Sequence, residues 1–458
     1  MLVGLFLTLT LYKFGGIVVL ASSESAGIDF DFNQWAIFSW PLEWGYWLAW
    51  PLIAVGILCV EKPRIPVPSW MLWLPLVWLA WQFLAASQTI DRRLTGLVLP
   101  HFVTCVGCYF IGLLVLPRLG RPNQFIWGAI AGLVLLCIVG FQQRFGGLDE
   151  TLRVLTEKVE RWQELEPEMR RDLLESKSVI VDGQGNATLR PELLKRIQGK
   201  RVFSTLAGYP NAFAGAILLL LPLSLVWVWQ WGGRLAIATQ WLLTLLLAGA
   251  GLGCLYWTGS KGGWLVALAM GLVALFQLRW SLKTKFAIAT VVIGIGLSGF
   301  AWKYQGYFAK GATSVVARFD YWEAAWKTAV DKPWLGSGPG TFQIVHAQLK
   351  RPESEMARLA HNDYLEQASD SGWVGFLAYL AFWVSSLVFL YRKGIAGGTP
   401  LAFAVWLGLM GWAAQEAVEF GLYIPALAWP AFLLLGWLNG SGFVIDNPSG
   451  GQLKSGGR

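Results

Sequence analysis

The sequence predicts an all-α integral membrane protein of about twelve transmembrane helices with two long extracytoplasmic loops, on three observations. Of 458 residues, 55% are hydrophobic and only 14% are charged, with a mean hydropathy of +0.50, a balance that a water-facing surface does not sustain. The apolar residues gather in runs of about 20, the length of one bilayer crossing. The 28 tryptophans suit the interfacial belts where an amphipathic ring straddles headgroup and tail.

Runs near 1–20, 40–60, 70–86, 96–117 and 125–141 form an N-terminal block of transmembrane helices, 1–141. Its opening, MLVGLFLTLTLYKFGGIVVL, carries Lys13 in mid-run and has neither a basic n-region nor a small-residue cleavage site, so it reads as a first helix. Residues 142–209 then make an extracytoplasmic loop holding a small soluble insert. Leu152, Leu155, Val159 and Trp162 fall near one face of a charged helix, and SVIVDGQGNATLRPELLKRIQGK reads as a hairpin around a glycine-rich turn followed by a short helix. Asn186-Ala187-Thr188 is a glycosylation sequon by pattern only. Runs near 210–231, 235–258, 263–279 and 286–302 make the central block, 210–302. The second long loop, 303–371, has Trp322 and Trp326 on one helix face, then WLGSGPGTF, then a polar helix. Runs near 372–391, 400–416 and 423–438 close the membrane part, 372–438, and 439–458 reads as a disordered cytoplasmic tail.

Basic residues resist translocation, so short loops report orientation. One side holds Lys62, Arg64, Arg118, Arg121, Arg234, Arg279, Lys283, Lys285, Arg392, Lys393, Lys454 and Arg458; the other holds Arg92, Arg93 and Lys261. Both termini are therefore expected in the cytoplasm. The net charge of +8 needs no nucleic acid to explain it. All five cysteines lie in apolar runs, so no disulfide framework is implied.

Four segments bring a cationic or titratable side chain to one membrane face: RVFSTLAGYPNAFAG (201–215), WTGSKGGW (257–264), ARFDYWEAAW (317–326) and HNDYL from His361. For any one of them alone, a basic residue snorkelling to lipid phosphate is the simpler account. Lys261 differs, because it sits in a tight turn on the side that the charge rule disfavours, and a positive charge kept there suggests a bound anion. Pro210 suits the first turn of a helix whose free N–H groups can meet an anion, with Arg201 upstream and Tyr209 and Asn211 adjacent. GSGPGTF, around Gly338, lacks the spacing of a dinucleotide fingerprint; its glycines suit either a phosphate approach or a plain turn. GCLYWTGSK also misses the P-loop spacing. His101, Cys105 and Cys108 share a helix face, but without a fourth ligand they read as a hydrogen-bonded histidine beside packed thiols.

Taken in order, R-x-F-x-T with Pro-Asn beyond, G-S-K-G-G, an Arg-led helix ending in P-W-L-G-S-G-P-G-T-F, and H-N-D-Y-L followed by Ser-Gly-Trp-Val-Gly resemble the O-antigen ligase and polymerase superfamily of bacterial inner membranes. The resemblance is strongest from Arg201 to Tyr379. It implies an enzyme that takes a glycan from undecaprenyl diphosphate and joins it to a lipid, saccharide or protein acceptor outside the cytoplasmic membrane, with no cofactor and no metal. Carried over by motif, Arg201 and Arg318 match diphosphate-binding arginines and His361 matches the histidine that acts on the acceptor. Lys261 stands where arginine is more usual, so it offers a point charge rather than a fork. Ser260, Asn211, Tyr209, Asn362 and Gly338 complete the expected substrate-binding set; Asn362 and Asp363 are equally open to capping the helix. The insert at 148–200 departs from the family pattern.

Two readings within this class remain beside the ligase: a polymerase on the same carrier, and a protein O-oligosaccharyltransferase. A bicarbonate-type transporter is the rival of another class. Transport sites leave ionisable groups near the midplane, whereas here the crossings are almost free of charge, with Lys13, Glu416 and Glu419 the exceptions. A structural scaffold is the third reading.

Overall fold

The computed structural model describes residues 1–20, 39–58, 67–119, 123–175, 178–206, 208–309, 313–352 and 354–445. The helices are α1 (Leu2–Lys13), α2 (Leu42–Leu58), α3 (Ser69–Ala86), α4 (Arg92–Phe110) and α5 (Asn123–Gln142), then α6 (Leu148–Glu160) and α7 (Pro167–Glu175). A hairpin of β1 (Val179–Val181) and β2 (Ala187–Leu189) follows, in antiparallel register Val179↔Leu189. After it come α8 (Pro191–Gln198), α9 (Pro210–Gly232), α10 (Ile237–Thr258), α11 (Lys261–Gln277), α12 (Leu282–Ala309), α13 (Thr313–Asp331), α14 (Phe342–Leu349), α15 (Asp363–Arg392), α16 (Pro400–Gln415) and α17 (Pro425–Ile445).

Among the described residues, seven helical stretches are long and apolar enough to cross a membrane, and α1, α2, α11 and α16 are shorter apolar helices. The protein is a helical, multi-pass membrane protein. The last helix continues to Ile445, past the point where the sequence reading places a tail; residues 446–458 lie outside the described residues.

Helix α17 forms the centre of the bundle. From Pro425 to Leu438 it is apolar on every face, which suits a helix surrounded by other helices, and Trp429, Phe432, Leu433 and Leu435 are fully buried. Its glycines allow backbone contact: a Cβ on Gly436 would lie 2.0 Å from the Tyr109 carbonyl oxygen of α4. Helices α10 and α12 instead present Leu245, Leu246, Val291, Ile295 and Trp302 outward, as a lipid-facing surface should.

Helices α1 and α5 meet in the same close manner. A Cβ on Gly128 would lie 2.1 Å from the Gly4 carbonyl oxygen, and Thr8 Oγ1 donates to the Gly128 carbonyl at 2.8 Å. Small residues let membrane helices approach backbone to backbone. Gly128→Val should therefore force α1 away from α5 and destabilise the protein by about 1–3 kcal/mol, the usual cost of overpacking. The check is thermal unfolding in detergent beside Gly96→Ala, where nothing stands within 4 Å; equal stability of the two variants would refute the crossing.

Candidate active site

Arg201 is placed by its own neighbours. The Val202 N–H donates to the Trp257 carbonyl at 3.2 Å, and Gln143 Oε1 accepts from the N–H groups of Phe203 and Ser204 at 3.0 and 2.8 Å. Arg201 Nε then donates to the Thr258 carbonyl at 2.8 Å, satisfying a carbonyl at the open end of α10. Gly259 ends that helix at φ +62°, where only a residue without a Cβ is relaxed. Ser260 caps α11 by accepting from the Gly263 N–H at 3.1 Å. Lys261 follows as the first residue of α11, with its ammonium 5.2 Å from the Tyr304 ring centre.

Asn211, in the first turn of α9, connects this corner to the rest. Its Oδ1 lies 3.4 Å from Arg201 Nη2, and its Nδ2 donates to Glu419 Oε1 at 2.7 Å. The same carboxylate oxygen accepts from Arg318 Nη2 of α13. The other, Oε2, faces His361 Nδ1 at 3.4 Å, an ion-pair distance without hydrogen-bond geometry. Side-chain exposure is 19% for Arg318, 9% for Glu419 and 26% for His361, so the cluster is mostly withdrawn from solvent but the imidazole is reachable. Burial, and then the charge of Arg196, push the Arg201 guanidinium below its ordinary range, while Tyr304 and Glu419 pull the other way. An incoming anion would relieve that strain.

His361 has φ +52°, the left-handed region that a β-substituted residue enters at a cost of about 1–3 kcal/mol. Both flanks hold it there. The Ala360 N–H donates to Glu366 Oε2 at 2.7 Å, Asn362 Oδ1 accepts from the Leu365 N–H at 3.0 Å, and the Asp363 N–H donates to the Glu416 carbonyl at 2.9 Å. The ring is seated by Phe420, edge-on at 4.7 Å, and Tyr321, stacked at 5.9 Å. Phe420 in turn meets Tyr209 at 5.2 Å, and Tyr321 meets the buried His346. Burial, then Lys350, lower the pKa of His346, and burial raises that of Tyr321 to about 12, so both stay neutral near pH 7.

The structure thus brings Arg201, Asn211, Arg318 and His361 together around Glu419, with Tyr209 behind Phe420. Ser260 and Asn362 have their side-chain oxygens engaged as helix caps. Gly338 lies elsewhere. Its φ is +108°, a Cβ there would lie 2.2 Å from Thr89 Oγ1, and its N–H donates to the Asp370 carbonyl at 2.9 Å. The glycines of this loop let it lie on the kink of α15, where Gly372 has φ +69° and the Trp373 N–H reaches the Pro333 carbonyl at 2.8 Å. Of its two sequence-level readings, the turn is the one the loop's contacts match. His101 Nε2 contacts the Leu422 carbonyl at 2.6 Å, and its Nδ1 accepts from Trp429 Nε1 at 3.1 Å.

Glu419 is the member that sequence reasoning passed over. It stands out in QEAVEFG only as a carboxylate at the end of a crossing, on the segment that also supplies Gln415, whose Nε2 donates to the Asn211 carbonyl at 2.8 Å. Residues 242–380 match the family model described as O-Antigen ligase, a stretch that includes Lys261, Arg318 and His361 and leaves Arg201 and Glu419 on either side. No curated protein matches the chain. Over those residues the chain is similar to the O-antigen ligase family, in agreement with the order of its motifs.

Proposed function

We propose that the protein is an O-antigen ligase-like glycosyltransferase of the bacterial inner membrane, with twelve crossings and both termini in the cytoplasm. It moves a glycan from undecaprenyl diphosphate to an acceptor on the outer side. The observation that carries this reading is the convergence, around one carboxylate, of Arg318, a reachable His361 and Asn211, whose amide oxygen contacts Arg201.

The acceptor hydroxyl oxygen attacks C1 of the donor sugar. The bond from C1 to the phosphate oxygen breaks, and undecaprenyl diphosphate departs with the bonding pair. Negative charge grows on the departing diphosphate, so Arg201, Arg318 and Lys261 stabilise the transition state more than the ground state. His361 takes the hydroxyl proton on Nε2, while Nδ1 faces Glu419. Glu419 is a positioning residue, the third group that orients a base. No metal enters these steps, because the fixed cations supply the charge stabilisation.

Complementation of a deletion strain tests the reading. Arg201→Ala and Arg318→Ala, each confirmed in the membrane, are expected to lower envelope glycan transfer by about 10²-fold or more, as when one charged transition-state donor is removed. Full activity in both would sink the mechanism in favour of transport or scaffolding. The deletion phenotype also separates the related enzymes: bare lipid acceptor means a ligase, a single repeat a polymerase, and a lost glycoprotein a protein glycosylation enzyme.

A further inference from the structure

Beside the arginine cluster lies a second group of donors. Tyr304 of α12 carries two ammonium groups on one ring, Lys261 Nζ at 5.2 Å and Lys303 Nζ at 5.5 Å from its centre. Tyr304 is 9% exposed, and its hydroxyl is buried with no hydrogen-bond partner among the described residues. The buried Trp264 Nε1 of α11 is likewise without a partner, and Lys303 Nζ lies 5.9 Å from that ring. A buried donor left unsatisfied is costly, and the Tyr304 hydroxyl and Trp264 Nε1, close to two ammonium groups, are two such donors that an anion would satisfy. Lys303 rests meanwhile 3.5 Å from the Tyr256 ring centre and 3.3 Å from the Tyr256 carbonyl oxygen. Among the described residues no carboxylate pairs with it.

The location indicates what the acceptor is attached to. Lys303 of α12 reaches the Tyr256 carbonyl near the end of α10, and both helices turn large apolar side chains outward. Outward apolar side chains on both helices suit an edge that meets lipid. It also adjoins Arg201, whose charge acts on both Lys261 and Lys303. A ligand spanning the two groups needs two linked anionic centres on an apolar tail.

We infer that Lys261, Lys303, the Tyr304 hydroxyl and Trp264 Nε1 form a second anion subsite on the bilayer side of the cluster. It holds one phosphate of a lipid diphosphate while Arg201 and Arg318 hold the other. The inference rests on the proposed donor class and assigns its two phosphates to separate residues. The subsite makes the protein a reader of diphosphate against monophosphate. Lys303 leaves the Tyr256 ring when the lipid arrives.

The test measures binding of undecaprenyl diphosphate and of undecaprenyl monophosphate to the full chain. It uses nanodiscs of phosphatidylcholine alone and with phosphatidylglycerol added. The wild-type protein is expected to prefer the diphosphate by about tenfold or more in both, the effect of one to two charge-assisted hydrogen bonds. Lys303→Gln and Tyr304→Phe should each weaken diphosphate binding by about tenfold and leave monophosphate binding within about twofold, whereas Lys303→Arg keeps the preference. Unchanged preference in both variants, or equal loss of both lipids, would overturn the subsite while leaving the proposed function standing. So would an effect confined to nanodiscs with phosphatidylglycerol, which would mark an ordinary headgroup site. A wild-type protein that binds neither lipid would overturn the proposed function and the subsite with it.

Discussion

His361→Ala is expected to lower kcat for glycan transfer by about 10²–10⁴-fold, the range for loss of a general base. The KM for the lipid-linked donor should change little, because the donor is held by the cations. The left-handed backbone at this position complicates alanine, which also prefers to avoid φ +52°. Asparagine tolerates that region and cannot act as a base near neutral pH. His361→Asn should therefore reach the membrane at wild-type abundance and be as inactive as His361→Ala. Activity in the asparagine variant within tenfold of wild type would remove the histidine from the chemistry.

Glu419→Gln carries the second large effect, and its two kinetic constants should move in the same direction. The carboxylate neutralises Arg318 and faces His361 at once. With the charge gone, Arg318 is freed for phosphate, so the KM for donor should fall. The imidazole loses its orienting partner, so kcat should fall on the order of 100-fold, a milder loss than when a catalytic triad loses its carboxylate. Steady-state kinetics on purified protein separate these effects. A raised KM with unchanged kcat would place Glu419 in simple substrate binding. Loss of folded protein would be the mark of a merely structural ion pair, since breaking a buried pair leaves an uncompensated charge.

Much of the molecule is readable without coordinates. The helical membrane character follows from run length and composition, because a bilayer demands internally satisfied backbone over a set distance. The cations Arg201, Lys261 and Arg318, and the histidine at 361, are conspicuous because charge is scarce in this chain and their motif order is distinctive. Helix ends are readable too. The Gly-Ser-Lys-Gly-Gly turn between two apolar runs is legible as a turn, and capping is one of two readings open for Asn362; the structure has Gly259 at positive φ and Ser260 and Asn362 as caps.

Pairing across sequence distance is not readable in the same way. The bond from Asn211 to Glu419 joins residues 208 apart, and the ion pair of Arg318 with Glu419 joins residues 101 apart. Neither is encoded in a spacing. The glycine-rich loop at 336–340 shows the reverse case. Its composition suits a phosphate cradle, yet its glycines are occupied by Thr89, Val98 and the carbonyls of α15. By itself the sequence determined that this is a helical membrane protein whose scarce charges gather at a few segments that resemble the O-antigen ligase family, because hydropathy and local motifs are properties of short stretches of chain. Only the tertiary structure decided that Glu419 gathers Arg318, Asn211 and His361, and that Lys303 and Lys261 share the Tyr304 ring. A buried charge must find its partner wherever the packed helices happen to bring one.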